Sequence, residues 1–201
     1  MYDVVNHILY KDDRRVDQRP SPNHGGVMKA VDFLIMHYTG ALSAAGAINT
    51  LTSPAAKVSA HFVISPEGVV TQLLPCNVVG WHAGVSSWKG RAGCNNFTIG
   101  IELANAGLLQ RTGAGGFATR LEHKAVDPAN VILAAHKNGG GVEPWAAYPE
   151  AQIEAAIGVA MALNAAYKFK DILGHDDIAP HRKTDPGPAF PMGAFRSRVL
   201  G

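Results

Sequence analysis

The stretch GHDDIAPHRKTDPGPAFP, residues 174–191, holds two histidines, three aspartates, a lysine and four prolines. Prolines at this density break helices and strands, so the segment reads as a stiff loop crowded with nitrogen and oxygen donors. Earlier, DFLIMHY (32–38) is a short apolar run that ends near His37, and DIL (171–173) is another that leads to His175. A histidine at the end of a buried strand is held rigidly at the rim of a sheet. Two such histidines and one aspartate from a stiff loop supply the three protein ligands that a catalytic zinc takes beside an open position. Taken singly, each of the nine histidines reads first as a surface or core imidazole, and position is what sets His37 and His175 apart.

The third ligand is open among Asp176, Asp177 and Asp185. The first two directly follow His175, and adjacent residues rarely reach one metal together. Asp177 also suits a side-chain cap on the following IAP turn. Asp185 precedes PGP, where proline keeps the residue before it extended, and geometry favours it. Glu102 is the one acidic residue of TIGIELAN. Strand alternation places it with Gly100, opposite Ile99, Ile101 and Leu103. It reads either as a solvated glutamate or as a carboxylate aimed at a cleft, with Gly100 leaving space for substrate beside it. In the second case it would take a proton from an attacking water and return it to a leaving nitrogen. Lys183, two residues before Asp185, is an ordinary surface lysine or a positive charge placed where an oxyanion develops. GWHAG (80–84) is a core tryptophan in a turn, or one wall of a sugar- or peptide-binding groove. His123 and His136 read as surface residues, and His24 as undecided.

The elements that must position these residues follow from periodicity. Residues 11–30 are polar and turn-rich and read as an arm. DFLIMHY suits a buried strand. GALSAAGAINTLTS suits a helix stopped near Pro54. SAHFVI and VVTQLL flank SPEG as a hairpin, and TIGIEL (98–103) is a strand whose glycine marks a bulge or a close approach. In 104–149 the segments RTGAGG and HKNGGG read as flexible loops, with Trp145 and Tyr148 anchoring a surface insertion. From Pro149 a helix starts, with Ile153, Ala156, Ile157, Ala160, Leu163 and Tyr167 on one face. The expectation is a single α/β domain over 1–201: a mixed central sheet with helices on its faces, an arm at 1–30 and a glycine-rich insertion at 104–149.

Composition narrows the classes. The chain has 201 residues, 47% hydrophobic and 17% charged, with net charge +2, too mild a balance to argue for nucleic acid. Cys76 and Cys94 read as two buried thiols, although one bridge is possible. No apolar run approaches the ~20 residues needed to span a bilayer. The N-terminal residues MYDVVNHILYKDDRR lack a basic start, an apolar run and a cleavage site. The expectation is therefore synthesis in the cytoplasm without a signal peptide and without membrane insertion. There is no phosphate-binding glycine loop, no GxSxG elbow and no nucleophile-like Cys–His pairing.

Together, MHYTG, VSAHFVI, GWHAGVSSWKGR, CNNFTIGIEL and the 174–191 block resemble the zinc-dependent N-acetylmuramoyl-L-alanine amidases of the amidase-2 family, which includes the peptidoglycan recognition proteins. The motifs run in family order from residue 33 to 191. The resemblance implies a mixed sheet with a groove on one side holding one zinc. His37, His175 and Asp185 correspond to its ligands, Glu102 to the catalytic carboxylate and Lys183 to the oxyanion-side partner. More loosely, it implies substrate-binding roles for Trp81, His82 and Asn95. The implied partner is peptidoglycan or muropeptides, cut between N-acetylmuramic acid and L-alanine.

The cytoplasmic recycling branch of the family, which acts on anhydro-muropeptides, typically has asparagine directly after the first ligand. Tyr38 stands there instead, which leans toward intact cell wall as substrate, in a phage lysis enzyme or a wall-remodelling or effector amidase. The alternatives are the recycler itself and a non-catalytic peptidoglycan-binding module of the same fold, which would have no use for Glu102 with Lys183. A structural zinc is disfavoured because such sites are usually closed by four cysteine-rich ligands.

Overall fold

The computed structural model describes residues 1–113 and 115–201; Ala114, within RTGAGG, lies outside the described residues. The N-terminal thirty residues build strands where a polar arm is expected. β1 (Tyr2–Val5), β2 (Ile8–Lys11) and β3 (Arg14–Arg15) form a small antiparallel sheet. Its turns place Asn6, His7, Asp12 and Asp13 at positive φ, a region that short polar side chains tolerate. β4 (Asp17–Gln18) joins the edge of the central sheet, and β5 (His24–Val27) pairs with residues 78–80. The half-buried alternation of YDVV is too short to stand out in the sequence.

β6 (Phe33–Tyr38) is buried at its first five positions, as a strand flanked on both sides must be. α1 (Ala44–Leu51) follows, capped by Ser43. β7 (Phe62–Ile64) and β8 (Val70–Gln72) form the hairpin expected around SPEG, and Gly68 takes the positive φ of that turn. After β9 (Val78–Gly80) and the short pair β10 (Ser87–Trp88) and β11 (Arg91–Ala92) comes β12 (Thr98–Leu103). Its pairing with β6 is unbroken, so Gly100 makes no bulge.

The 104–149 segment is also more ordered than its glycines suggest. β13 (Leu109–Arg111), β14 (Phe117–Thr119) and β15 (Ala125–Val126) form one antiparallel sheet. β16 (Val131–Ala135) and β17 (Val142–Ala146) form a hairpin closed by HKNGGG. Trp145 and Tyr148 are buried: the indole donates to the Ala134 carbonyl at 3.0 Å and the Tyr148 hydroxyl to the Pro186 carbonyl at 2.8 Å. α2 (Glu150–Tyr167) starts after Pro149, and β18 (Asp171–Gly174) runs into α3 (His175–Ile178), a single helical turn. α4 (Met192–Leu200) closes the chain. It buries Phe195 and Val199 four residues apart, too narrow a stripe to announce itself in the sequence.

The central sheet runs β18–β6–β12–β7–β8–β4; β18, β6, β12 and β7 are parallel, and β8 is antiparallel to β7. One face carries Leu34, Met36, Phe62, Ile99, Ile101, Leu103 and Ile172, covered by Ala156, Ile157, Ala160 and Leu163 of α2 and by Phe195 of α4. Each of these large side chains contributes roughly 1.5–3 kcal/mol by leaving water. The other face carries the polar residues of the site, over smaller apolar clusters around Ile35 and Leu173 and around Val63 and Leu51 of α1. Among the described residues, Cys76 and Cys94 are free and buried, and no helix is long and apolar enough to cross a membrane.

Candidate metal centre

Parallel pairing in register sets Glu102 of β12 beside His37 of β6, and paired residues of neighbouring strands project to the same face. On the other flank of β6, β18 ends with Gly174 opposite Met36. His175, the next residue, therefore turns in beside His37. The loop after α3 brings Asp185 back, tied by the Asp176 N–H to the Asp185 carbonyl at 2.9 Å. Three donor atoms converge: His37 Nδ1 and His175 Nδ1 lie 2.9 Å apart, and Asp185 Oδ2 lies 2.8 and 3.0 Å from them. All three residues are buried.

This set fits a metal ion. His175 Nε2 lies 3.0 Å from the Ala83 carbonyl, which only accepts, so Nε2 carries the ring proton and Nδ1 offers its lone pair inward. Beside the cluster, Glu102 Oε2 is buried with no protein partner. A buried carboxylate oxygen without a donor is costly unless something else meets it. Burial, and then the charge of Asp185, push the Glu102 carboxyl well above the usual range, against the pull of Lys183. Burial, and then the neighbouring His175, push His37 down to about 4, against Asp185. His37 is thus neutral at physiological pH, as a nitrogen ligand must be. Two imidazoles and one carboxylate are the donors of an open nitrogen–oxygen metal site rather than a closed structural one.

The cluster lines a groove of about 620 Å³, together with His82, Glu102 and Lys183. Trp81, about one-third exposed, stands in its wall with Thr184 and Leu121. His82 is buried under His37, its ring edge-on at 5.1 Å between centroids. Asn95 is not part of the wall. Its Oδ1 accepts the N–H groups of His82 and Ala83 at 3.1 and 2.7 Å, so it shapes the 81–84 turn from behind. The space beside Gly100, expected for substrate, is filled by the His82 ring: a Cβ at Gly100 would lie 2.6 Å from His82 Cγ.

Other expectations are corrected by packing. His136 is no free surface imidazole. It bonds Asp176 at 3.0 Å and stacks on Trp145, so Asp176 faces away from the metal cluster. Asp177 caps backwards, accepting the Gly174 N–H at 2.7 Å, and does not cap the IAP turn. Two groove residues, Arg182 and Thr184, escape a reading from the sequence, and a third, Tyr38, is read there only for the form of the substrate. Arg182 donates to the Ala83 and Val85 carbonyls at 2.9 and 2.8 Å. The Tyr38 and Thr184 hydroxyls bond each other at 2.8 Å, joining the two ligand-bearing segments. Arg182 and Thr184 flank Lys183, and that adjacency is the one signal the sequence carried.

Residues 27–188 match the family described as Amidase_2, N-acetylmuramoyl-L-alanine amidase. The 1,6-anhydro-N-acetylmuramyl-L-alanine amidase AmpD of Escherichia coli is 36% identical over 145 residues, 71% of this chain and 59% of its own length. The N-acetylmuramoyl-L-alanine amidase AmiD of Escherichia coli is 30% identical over 203 residues, 96% of this chain and 62% of its own length. This chain thus spans about three-fifths of the curated relatives it matches. A solved complex of AmiD with the substrate anhydro-N-acetylmuramic acid-L-Ala-D-gamma-Glu-L-Lys is similar at TM-score 0.65 and 29% identity, over 100% of this chain and 66% of that one. On these matches the chain belongs to the N-acetylmuramoyl-L-alanine amidase family, Amidase_2.

Proposed function

We propose that this protein hydrolyses the amide between N-acetylmuramic acid and the L-alanine of a stem peptide, with one zinc held by His37, His175 and Asp185. The observation that carries this is the convergence of three ligand atoms beside a carboxylate whose buried Oε2 has no protein partner. A zinc in this position supplies a Lewis acid for the carbonyl and brings the pKa of a water down toward about 7. Glu102, desolvated and therefore a good proton acceptor, takes the proton of the attacking water and hands it to the departing L-alanine nitrogen. Lys183, which lines the groove, places its ammonium charge against the developing oxyanion. Trp81 offers a flat apolar surface to the sugar or the peptide.

For the form of the substrate, the relatives support soluble muropeptides: AmpD is named for the 1,6-anhydro substrate, and AmiD is solved with an anhydro-muramoyl peptide. A second reading, intact wall, is favoured by Tyr38 in the place where the recycling branch typically carries asparagine. Mass spectrometry of the products from anhydro-muropeptides and from purified sacculi, with Glu102→Gln as control, tests both. Release of free stem peptide from the soluble substrate is expected. Release from sacculi as well would establish the second reading. If neither is cut by zinc-loaded protein, the enzyme reading falls and a peptidoglycan-binding module takes its place.

A further inference from the structure

The protons around His37 can be assigned outward from the strand beneath it. Thr98 Oγ1 donates to the Cys94 carbonyl at 2.8 Å, so it offers His82 only lone pairs. The Thr98 carbonyl likewise only accepts. His82 Nε2 faces these two oxygens at 3.3 and 3.4 Å and therefore carries its ring proton. His82 Nδ1 is then a lone pair, 3.0 Å from His37 Nε2. The shared proton belongs to His37 Nε2, which leaves His37 Nδ1 unprotonated toward His175 and Asp185.

The fold spends specific residues on keeping the His82 ring there. Gly100 leaves it room that a Cβ would fill, and Asn95 fixes its backbone. His61 braces it edge-on at 5.7 Å between centroids. His61 is itself locked, accepting from the Gly100 N–H at 3.0 Å and donating to the Val78 carbonyl at 2.8 Å. A Cβ at Gly80 would come within 3.0 Å of the His61 ring.

We propose that His82 is a positioning residue of the metal centre: an acceptor-only partner that holds His37 in its Nε2–H tautomer, with Thr98 setting the polarity of the relay. This rests on the metal reading of the site and deepens it. It gives His82, which also lines the groove, a role beyond substrate contact.

The test measures zinc affinity by chelator competition in the folded wild type and in His82→Phe, His82→Asn and Thr98→Val, with thermal unfolding as the check on folding. His82→Phe keeps a ring and loses the acceptor, and its affinity is expected to fall about 10- to 100-fold, the usual cost of losing a partner behind a ligand. His82→Asn, whose Oδ1 sits near the place of Nδ1, is expected to recover most of that loss. Thr98→Val, which leaves the ring in place, is expected to lose less than His82→Phe. A folded His82→Phe protein with zinc affinity within about twofold of wild type overturns the proposal. Nitrogen NMR reads the relay directly, through an exchange-protected proton on His37 Nε2 coupled to His82 Nδ1. That proton on His82 Nδ1 instead also overturns it. Wild-type protein that binds no zinc overturns the metal reading alone, because the same spectrum of the metal-free protein still decides where the proton lies.

Discussion

The two faces of the central sheet are made by alternating residues of the same strands, and they are held by different physics. Behind β6 and β12 lie Leu34, Met36, Ile99, Ile101 and Leu103, a continuous apolar layer under α2 and α4. In front lie His37, Thr98, Gly100 and Glu102, with His61 and His82 packed among them, all but Glu102 buried. Apolar side chains need only volume and shape, so the back face tolerates conservative exchange. The front face needs each donor matched to an acceptor, and a single wrong atom strands its partner. Stability is therefore concentrated behind the sheet and chemistry before it, one residue apart along the chain.

Four experiments would break or sharpen that contrast. The largest effect is expected for Glu102→Gln, which should lower kcat by about a thousandfold while leaving zinc content and unfolding temperature near wild type. Near-normal turnover would remove Glu102 from the chemistry. Its neighbour Ile101 points the other way. Ile101→Ala should cost about 3 kcal/mol in denaturant unfolding with turnover per folded molecule almost unchanged; a collapse of kcat in the folded variant would show that the faces are not independent.

The third experiment is pH titration of stability in metal-free protein. Burial first of all pushes His61 down to about 4, from an ordinary 6.5. Between those values the unfolded chain binds a proton that the folded chain refuses, so stability rises with pH across this window and is lost as pH falls through it. The contribution is on the order of 3 kcal/mol, fully present above pH ~6.5. His61→Gln should reduce the slope by its own share, leaving that of His37, which burial also pushes down to about 4. A back-face substitution such as Leu103→Met should leave the slope alone. An unchanged slope in His61→Gln would assign the titration elsewhere.

The smallest effect is expected for Gly100→Ala. Its Cβ would lie 2.6 Å from His82 Cγ, which forces the ring to move, at about 1–3 kcal/mol of stability. Zinc affinity should weaken with it, whereas Leu103→Met should cost less than about 1.5 kcal/mol and leave affinity intact. Full zinc affinity in Gly100→Ala would show that the ring can shift without consequence.

Much of this arrangement was legible in the sequence. The strands at 33–38 and 98–103, the hairpin around SPEG and the helix after Pro149 follow from local periodicity, a property of neighbouring residues. His37, His175 and Asp185 stand out because strand ends and proline-fixed loops are local features too. The N-terminal strands, the sheets within 104–149 and α4 did not stand out, since each owes its order to a partner distant in sequence. β4 needs the edge of β8, Trp145 needs the Ala134 carbonyl, and the narrow stripe of α4 needs the face prepared by α2.

What the sequence determined by itself was the inventory and the periodicity: donors of the right type, strands that place them at a rim, and a glycine opposite an apolar row. Only the tertiary structure decided what stands next to what. His37 and His175, 138 residues apart, meet because β18 and β12 flank β6 in parallel. His82 takes the room at Gly100, Asn95 turns behind the groove, and Asp176 faces His136 rather than the ligands. These are matters of donor–acceptor matching and excluded volume between segments far apart in the chain. Such constraints arise only once the sheet has set the distances, and local pattern cannot express them.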